Sequence, residues 1–247
     1  MPNNQYYLSF CIPVYNEEKI IHSKIIEIKK SLERILKKKS YEILIVENGS
    51  TDNTLKELGK FTANNLKVIT LKEKGHGLAM ETAIFNTRAE YVLLTAIDLP
   101  FGFSDLKEML KIADRYDIIF GSKSHPQSIT YSPFIRKVTS KIYRQLLKIF
   151  FNTKVGDTQG TVFLRREVIL PLLKYCDSQN AFFSAQLAIF SERFSLKVVE
   201  VPVKNDLKIL RKSKYNVFSD GSKMLISLFK TYLNIKVTDI KRNTLSR

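Results

Sequence analysis

The feature that most constrains this chain is an alternation. Short, continuously apolar runs are separated by longer segments whose apolar residues recur at helical spacing. The runs are YLSFCIPV (Tyr7 to Val14), YEILIVE (Tyr41 to Glu47), LKVITL (Leu66 to Leu71), YVLLTAI (Tyr91 to Ile97) and DIIFGSK (Asp117 to Lys123). Each has strand length and no polar alternation, so it reads as a strand buried on both faces. After the first run, Ile21, Ile25, Ile28, Leu32, Ile35 and Leu36 mark one helical face; a second helix is predicted near Leu55 to Asn64, and GHGLAMETAIFNTR is a glycine-started third. Strand and helix in this order predict an α/β fold, with a Rossmann-like, mostly parallel central sheet and helices on both faces.

The later part is less regular. Ser132 to Phe151 carries Ile135, Val138, Ile142, Leu146 and Ile149 on one stripe. GTVFLRR is a predicted strand, AFFSAQLAIFSERF a helix, LKVVEVPVK a strand, and Lys223 to Leu233 an amphipathic helix before a polar tail. The reading is one domain over residues 1–215 and a basic C-terminal helix and tail over 216–247.

Composition excludes several classes. With 44% hydrophobic residues, 16 Phe and 11 Tyr, the chain can fill a sizeable core, so disorder is not its default. It has no run of 18 apolar residues, hence no expected transmembrane helix, and its first residues lack the pattern of a signal peptide. Two cysteines without a CxxC partner, Cys11 and Cys176, read as inert thiols in a reducing cytoplasm. The formal charge of +16 is unevenly spread. The first 117 residues are nearly balanced, whereas no acid occurs between Asp117 and Asp157. A basic half of this kind suits nucleic acid, an anionic membrane or phosphorylated substrates. Without any DNA- or RNA-binding signature, nucleic acid is not an expected partner.

In a parallel sheet, ligands bind beyond the carboxyl ends of the strands. The polar loops of this chain all fall there: PVYNEE, ENGSTDNT, GHG, and the lone Asp98 of TAIDLPFG. Each has a plain structural reading as well. NGSTD can be a turn with an N-cap, and Asp98 can cap the helix beyond Pro100. The first loop has no GxGxxG, which argues against a dinucleotide fold. His22, His76 and His125 show no metal-ligand spacing and read as structural or surface residues.

Taken in order, PVYNEE, VENGSTDNT, KGHGLAMETAI, AIDL, GSK, DTQGTVFLRREV and VVEVPV resemble the family 2 glycosyltransferases of GT-A fold, over roughly residues 7–215. Within them the string is most similar to the branch that makes polyprenyl-phosphate sugars, the dolichyl-phosphate mannose synthase type. The resemblance implies an inverting transfer from a nucleotide-diphosphate sugar, of GDP-mannose or UDP-glucose type, to a polyprenyl or dolichyl phosphate at the cytoplasmic membrane face. It points to Pro13, Tyr15, Glu17 and Glu47 for the nucleotide. It makes Asp98 the catalytic ligand of Mg2+ or Mn2+, and sets Asp157 near the reaction centre, where a structural pairing with an arginine is the alternative. Lys123, Arg136, Arg211 and Lys214 become candidates for the phosphates.

The chain departs from the family in three places. Glu47-Asn48 stands where the family has two aspartates, and Ala96 replaces the first carboxylate of Asp-x-Asp. Gln186 occupies the region of the carboxylate base. A phosphate monoester is mostly dianionic at neutral pH, with a second pKa of about 6, so a lipid-phosphate acceptor needs no base. The alternative is a catalytically impaired GT-A protein that binds nucleotide or a partner. The basic helices further imply peripheral attachment to an anionic membrane, or a membrane-anchoring partner subunit, against the plain reading that they pack on their own core.

Overall fold

The computed structural model describes residues 5–131, 133–177, 180–205 and 217–245, with side chains of the last stretch described over 221–237. The apolar runs are strands: β1 (Tyr6–Val14), β2 (Tyr41–Glu47), β3 (Leu66–Thr70), β4 (Ala89–Leu94), β5 (Ile118–Ser122), β6 (Val162–Arg165) and β7 (Val198–Pro202). They form one sheet in the order β3-β2-β1-β4-β6-β5-β7. Six of the strands share a direction; β6 runs antiparallel to β4 and β5.

The helices are α1 (Ile21–Leu36), α2 (Thr54–Leu58), α3 (His76–Asn86), α4 (Ser104–Ile112), α5 (Phe134–Phe151), α6 (Arg166–Ile169), α7 (Phe183–Arg193) and α8 (Val217–Leu245), with a 3-10 turn at Leu170–Tyr175. The absence of alternation in the strands has its cause in the two cores. Successive side chains of a strand point to opposite faces, and here both faces are covered. Leu8, Phe10, Ile12, Ile43, Ile45 and Leu93 pack with α1 and α4 on one side. Cys11, Leu44, Val46, Val92 and Leu94 pack with α3 and α7 on the other. A third cluster joins Leu147 of α5, Phe182, Ala185 and Ile189 beside and on α7, and Met224 and Leu228 of α8.

Three boundaries differ from expectation. The helix predicted to reach Asn64 ends at Leu58, because Gly59 and the Asn64-Asn65 pair favour a turn over continued helix. The fourth strand begins at Ala89 and stops at Leu94, since Thr95 to Leu99 leave the sheet in a turn closed by Leu99 N–H donating to the Ala96 carbonyl at 3.1 Å. The last helix runs 29 residues rather than 11, as nothing from Ser222 to Leu245 is Gly or Pro. One glycine is required by close approach: a Cβ on Gly160 would overlap the carbonyl oxygen of Gly121. That contact lets the GDTQG loop lie flat against the end of β5.

Candidate active site

The strand order turns around at β1. The chain moves outward from β1 to β2 and β3, then returns to place β4 on the other side of β1. Loops leaving adjacent strands in opposite directions open a crevice, which makes the β1/β4 edge the expected ligand position. Pro13 is placed accordingly. It lies beyond the last β1 residue paired with β4, Cys11 opposite Leu94, so its missing N–H takes no bond from that ladder. Backbone strain collects at the same edge. Asn16 (φ 54°), Gly49 (φ 73°), Leu99 (φ 50°) and Gly102 (φ 58°) all lie in loops that follow β1, β2 or β4. A left-handed leucine beside Asp98 costs about 1–2 kcal/mol, a cost that persists where surrounding structure enforces the conformation.

The first two loops are stapled to each other. The Asn16 N–H donates to Ser50 Oγ at 2.9 Å and the Thr51 N–H donates back to Asn16 Oδ1 at 2.8 Å. The Glu17 N–H donates to Thr54 Oγ1 at 2.8 Å, and the Asn53 N–H to Glu18 Oε2 at 3.0 Å. Glu47 is buried, with Oε1 accepting from the Ser50 N–H at 2.5 Å. Asn48, also buried, reaches the third loop: its Oδ1 accepts from the Gly75 N–H at 2.8 Å, at the start of α3. Lys74 covers the Tyr15 ring with its ammonium 3.5 Å from the centroid. Sequence reasoning missed both of these ties. An Asn directly after a strand was a polar signal available at position 48; Lys74 and Tyr15 carry no local signal of each other.

The side of the crevice beyond β4 is basic. Lys123 follows β5, and its ammonium lies 3.3 Å from Asp157 Oδ2 and 5.9 Å from the ring centroid of Phe101, a residue of the Asp98 turn. Asp157 is buried and also accepts from the N–H groups of Lys123 and Gln159 at 2.9 and 3.0 Å. Its basic partner is thus a lysine and not an arginine. Asp98 itself is half-buried at the end of its turn. Arg136 lies in the first turn of α5, on the helix that departs from this edge. Arg211 and Lys214 lie outside the described residues. Gln186 is buried in α7 and its amide is a strut, accepting from the Asp177 N–H and donating to Thr231 Oγ1 of α8, both at 2.9 Å.

Among the described residues no three His, Cys, Asp or Glu side chains gather as a metal cage. The donor set therefore fits a hard cation only in one form. Mg2+ and related ions are held by one or two carboxylates together with substrate phosphates and water. Asp98, half-buried in the turn after β4, is the side chain that could serve as such a carboxylate. Away from the crevice, burial pushes both Cys11 and Cys176 up to about 12, which makes them unreactive thiols.

A mostly parallel seven-stranded sheet covered by helices on both faces, with its polar loops gathered at the switch point, is the GT-A glycosyltransferase architecture. The model of glycosyl transferase family 2 matches residues 9–172, and the chain belongs to that family. Glycosyltransferase AglD of Haloferax volcanii is 24% identical over 82% of this chain and 34% of its own length. The dolichyl-phosphate beta-glucosyltransferases of Saccharomyces cerevisiae and Homo sapiens are 25% and 27% identical, over 92% and 79% of this chain and 71% and 66% of theirs. The chain thus spans 34% of the length of the first of these relatives and 66 to 71% of the other two. Among solved structures, glucosyl-3-phosphoglycerate synthase from Mycobacterium tuberculosis in complex with Mn2+, UDP and phosphoglyceric acid superposes with a TM-score of 0.63. It is 17% identical, over 93% of this chain and 78% of that one. Mannosyl-3-phosphoglycerate synthase from Rubrobacter xylanophilus gives 0.62 at 16% identity, over 96% and 75%. At these identities the superpositions speak for the fold.

Proposed function

We propose that this protein transfers a sugar from a nucleotide-diphosphate sugar to a polyprenyl or dolichyl phosphate, with inversion at the anomeric carbon, at the cytoplasmic face of a membrane. The observation that carries the reading is the position of Asp98. It lies in a strained turn after β4, and the stapled β1 and β2 loops leave the neighbouring strands at the same edge of the sheet. The names of the relatives favour a glucosyl donor over a mannosyl one. In this reading Pro13, Tyr15, Glu17 and Glu47 contact the nucleotide. Residues 1–215 form the catalytic unit, and a membrane-anchoring partner subunit is a further extension of the scheme.

An oxygen of the acceptor phosphate bonds to the sugar's anomeric carbon as the bond from that carbon to the nucleoside diphosphate breaks. The nucleoside diphosphate leaves with the electron pair. The acceptor is already a dianion near neutrality, so no side chain has to remove a proton. This agrees with a Gln186 whose amide is committed to structural contacts. Asp98 would hold Mg2+ or Mn2+ together with the donor's diphosphate; bound there, the ion neutralises charge on the leaving group. Lys123, Arg136, Arg211 and Lys214 add positive charge, and Asp157 acts through Lys123 by holding it in place.

The test is release of nucleoside diphosphate from UDP-glucose and GDP-mannose in the presence of a polyprenyl phosphate. Asp98→Ala is expected to lower turnover by about 100-fold or more, the scale of one lost electrostatic stabiliser, with the fold unchanged. EDTA should do the same to the wild type. Full activity in either case overturns the assignment of Asp98. Nucleotide binding without turnover of any donor favours the impaired-enzyme reading instead, for which Ala96 is the observation.

A further inference from the structure

Helix α5 is 18 residues long, yet Leu147 is its one fully buried residue. Phe134, Ile135, Val138, Ile142 and Ile149 are 79, 70, 39, 55 and 72% exposed. At about 100° per residue they fall on a single stripe. Helix α8 repeats the pattern with Leu225, Ile226, Phe229, Leu233 and Val237, all exposed. Neither stripe is a packing face left over from a loose core. The opposite faces of both helices already fill the third core cluster, through Leu147, Met224 and Leu228. The two helices meet at an aromatic seam, where the Phe150 ring, packed against the third cluster, lies 5.2 Å from Phe229 of the α8 stripe and 5.1 Å from Tyr232. Exposed apolar stripes on two helices that touch mark an interaction site on a folded domain.

Charge selects the occupant. Lys137, Lys141, Arg144 and Lys148 run along one border of the α5 stripe, and residues 118–156 hold no acid to offset them. An apolar protein partner has no use for such a border, whereas an anionic bilayer pairs an apolar interior with surface phosphates. We propose that the joined outer faces of α5 and α8 seat this protein on an anionic bilayer. The apolar side chains enter the acyl boundary and the lysines reach back to the lipid phosphates. Residues 123–133 lead from Lys123 at the rim of the crevice to the start of α5, so seating α5 brings that rim toward the lipid surface. The proposal names the surface on which the lipid-phosphate reading places the acceptor. It is tested with neither donor nor acceptor, so the two can fail separately.

The chain contains no tryptophan, which makes an introduced one a clean reporter. Full-length Ile142→Trp is mixed with phosphatidylcholine vesicles, with or without a fraction of phosphatidylglycerol, at low salt. Emission should shift to the blue, and the protein should float, only with the anionic vesicles. Phe85→Trp, at a 54% exposed position on α3, should not shift. Ile149→Trp is the second reporter should the first variant misfold. Lys137→Ala with Lys141→Ala should lower partitioning about 30-fold, from about 1 kcal/mol per basic residue at an anionic surface. Absence of shift and flotation in both reporters overturns the proposal, as does equal binding to neutral vesicles. A blue shift without vesicles that grows with protein concentration, alongside a dimer mass in light scattering, would assign the face to a second copy and also overturn it.

Discussion

Asn48 and Asp105 show how single side chains hold the crevice together. The Gly75 N–H belongs to a buried residue at the start of α3 and is met by Asn48 Oδ1. Asn48→Ala leaves that donor unsatisfied, which costs about 1–3 kcal/mol. For a chain of this size each kcal/mol lowers Tm by about 2–4 °C. Asn48→Asp keeps an acceptor in place and is expected to lose far less, a contrast that thermal denaturation of the pair checks. Asp105 is buried in the first turn of α4, where it accepts from Thr161 Oγ1 and the Leu106 N–H. Desolvation raises its pKa above the ordinary aspartate value, and these hydrogen bonds only partly oppose the rise. A carboxyl with a raised folded-state pKa contributes stability below its unfolded pKa and loses it as pH rises through the folded value. Asp105→Asn should therefore melt above the wild type at neutral pH, with the gap closing as the solution is acidified. A gap that widens in acid would contradict the assigned cause.

At the scale of elements, a buried amide adds to the apolar contacts between α7 and α8. Gln186 spans the Asp177 N–H and Thr231 Oγ1, and Lys230 adds a salt bridge to Asp177 at 2.9 Å. Gln186→Ala should cost about 1–3 kcal/mol and speed amide exchange over residues 224–237, while nucleotide affinity stays unchanged. Gln186→Glu puts a carboxylate into the same buried position near Asp177. It is expected to lower stability without raising the rate of transfer, which would separate a strut from a missing base. The element boundaries themselves were legible where periodicity was strong, as in α1 and β2. They slipped where a helix ended on Gly59 or continued past the last clear apolar repeat in α8, since propensity alone does not say where packing stops.

For the molecule as a whole, the proposed acceptor sets the pH dependence. A phosphate nucleophile loses its second charge below about pH 6, so the rate should fall there even though no carboxylate base is involved. Steady-state rates across that range, with donor saturating, check it; a flat profile with chemistry limiting would remove the lipid-phosphate acceptor. The asymmetry of charge also acts at this scale. A balanced half carries the stapled β1 and β2 loops, and a basic half carries Lys123, α5 and α8.

The sequence by itself determined the sheet class, the succession of the first strands and helices along the chain, and the edge on which the polar loops meet. Continuous apolar runs can be buried only between two helical layers, and loops after parallel strands all emerge at one edge. It also singled out Asp98, because a lone carboxylate closing a buried strand has few reasons to be there. Tertiary structure alone decided that β6 inserts antiparallel between β4 and β5, and that Gly160 must lie against Gly121. It decided equally that Lys74 covers Tyr15, Asp157 holds Lys123, and α5 meets α8 at an aromatic seam. These are contacts between residues far apart in the chain. Their energy depends on which surfaces meet, and local spacing carries no record of that.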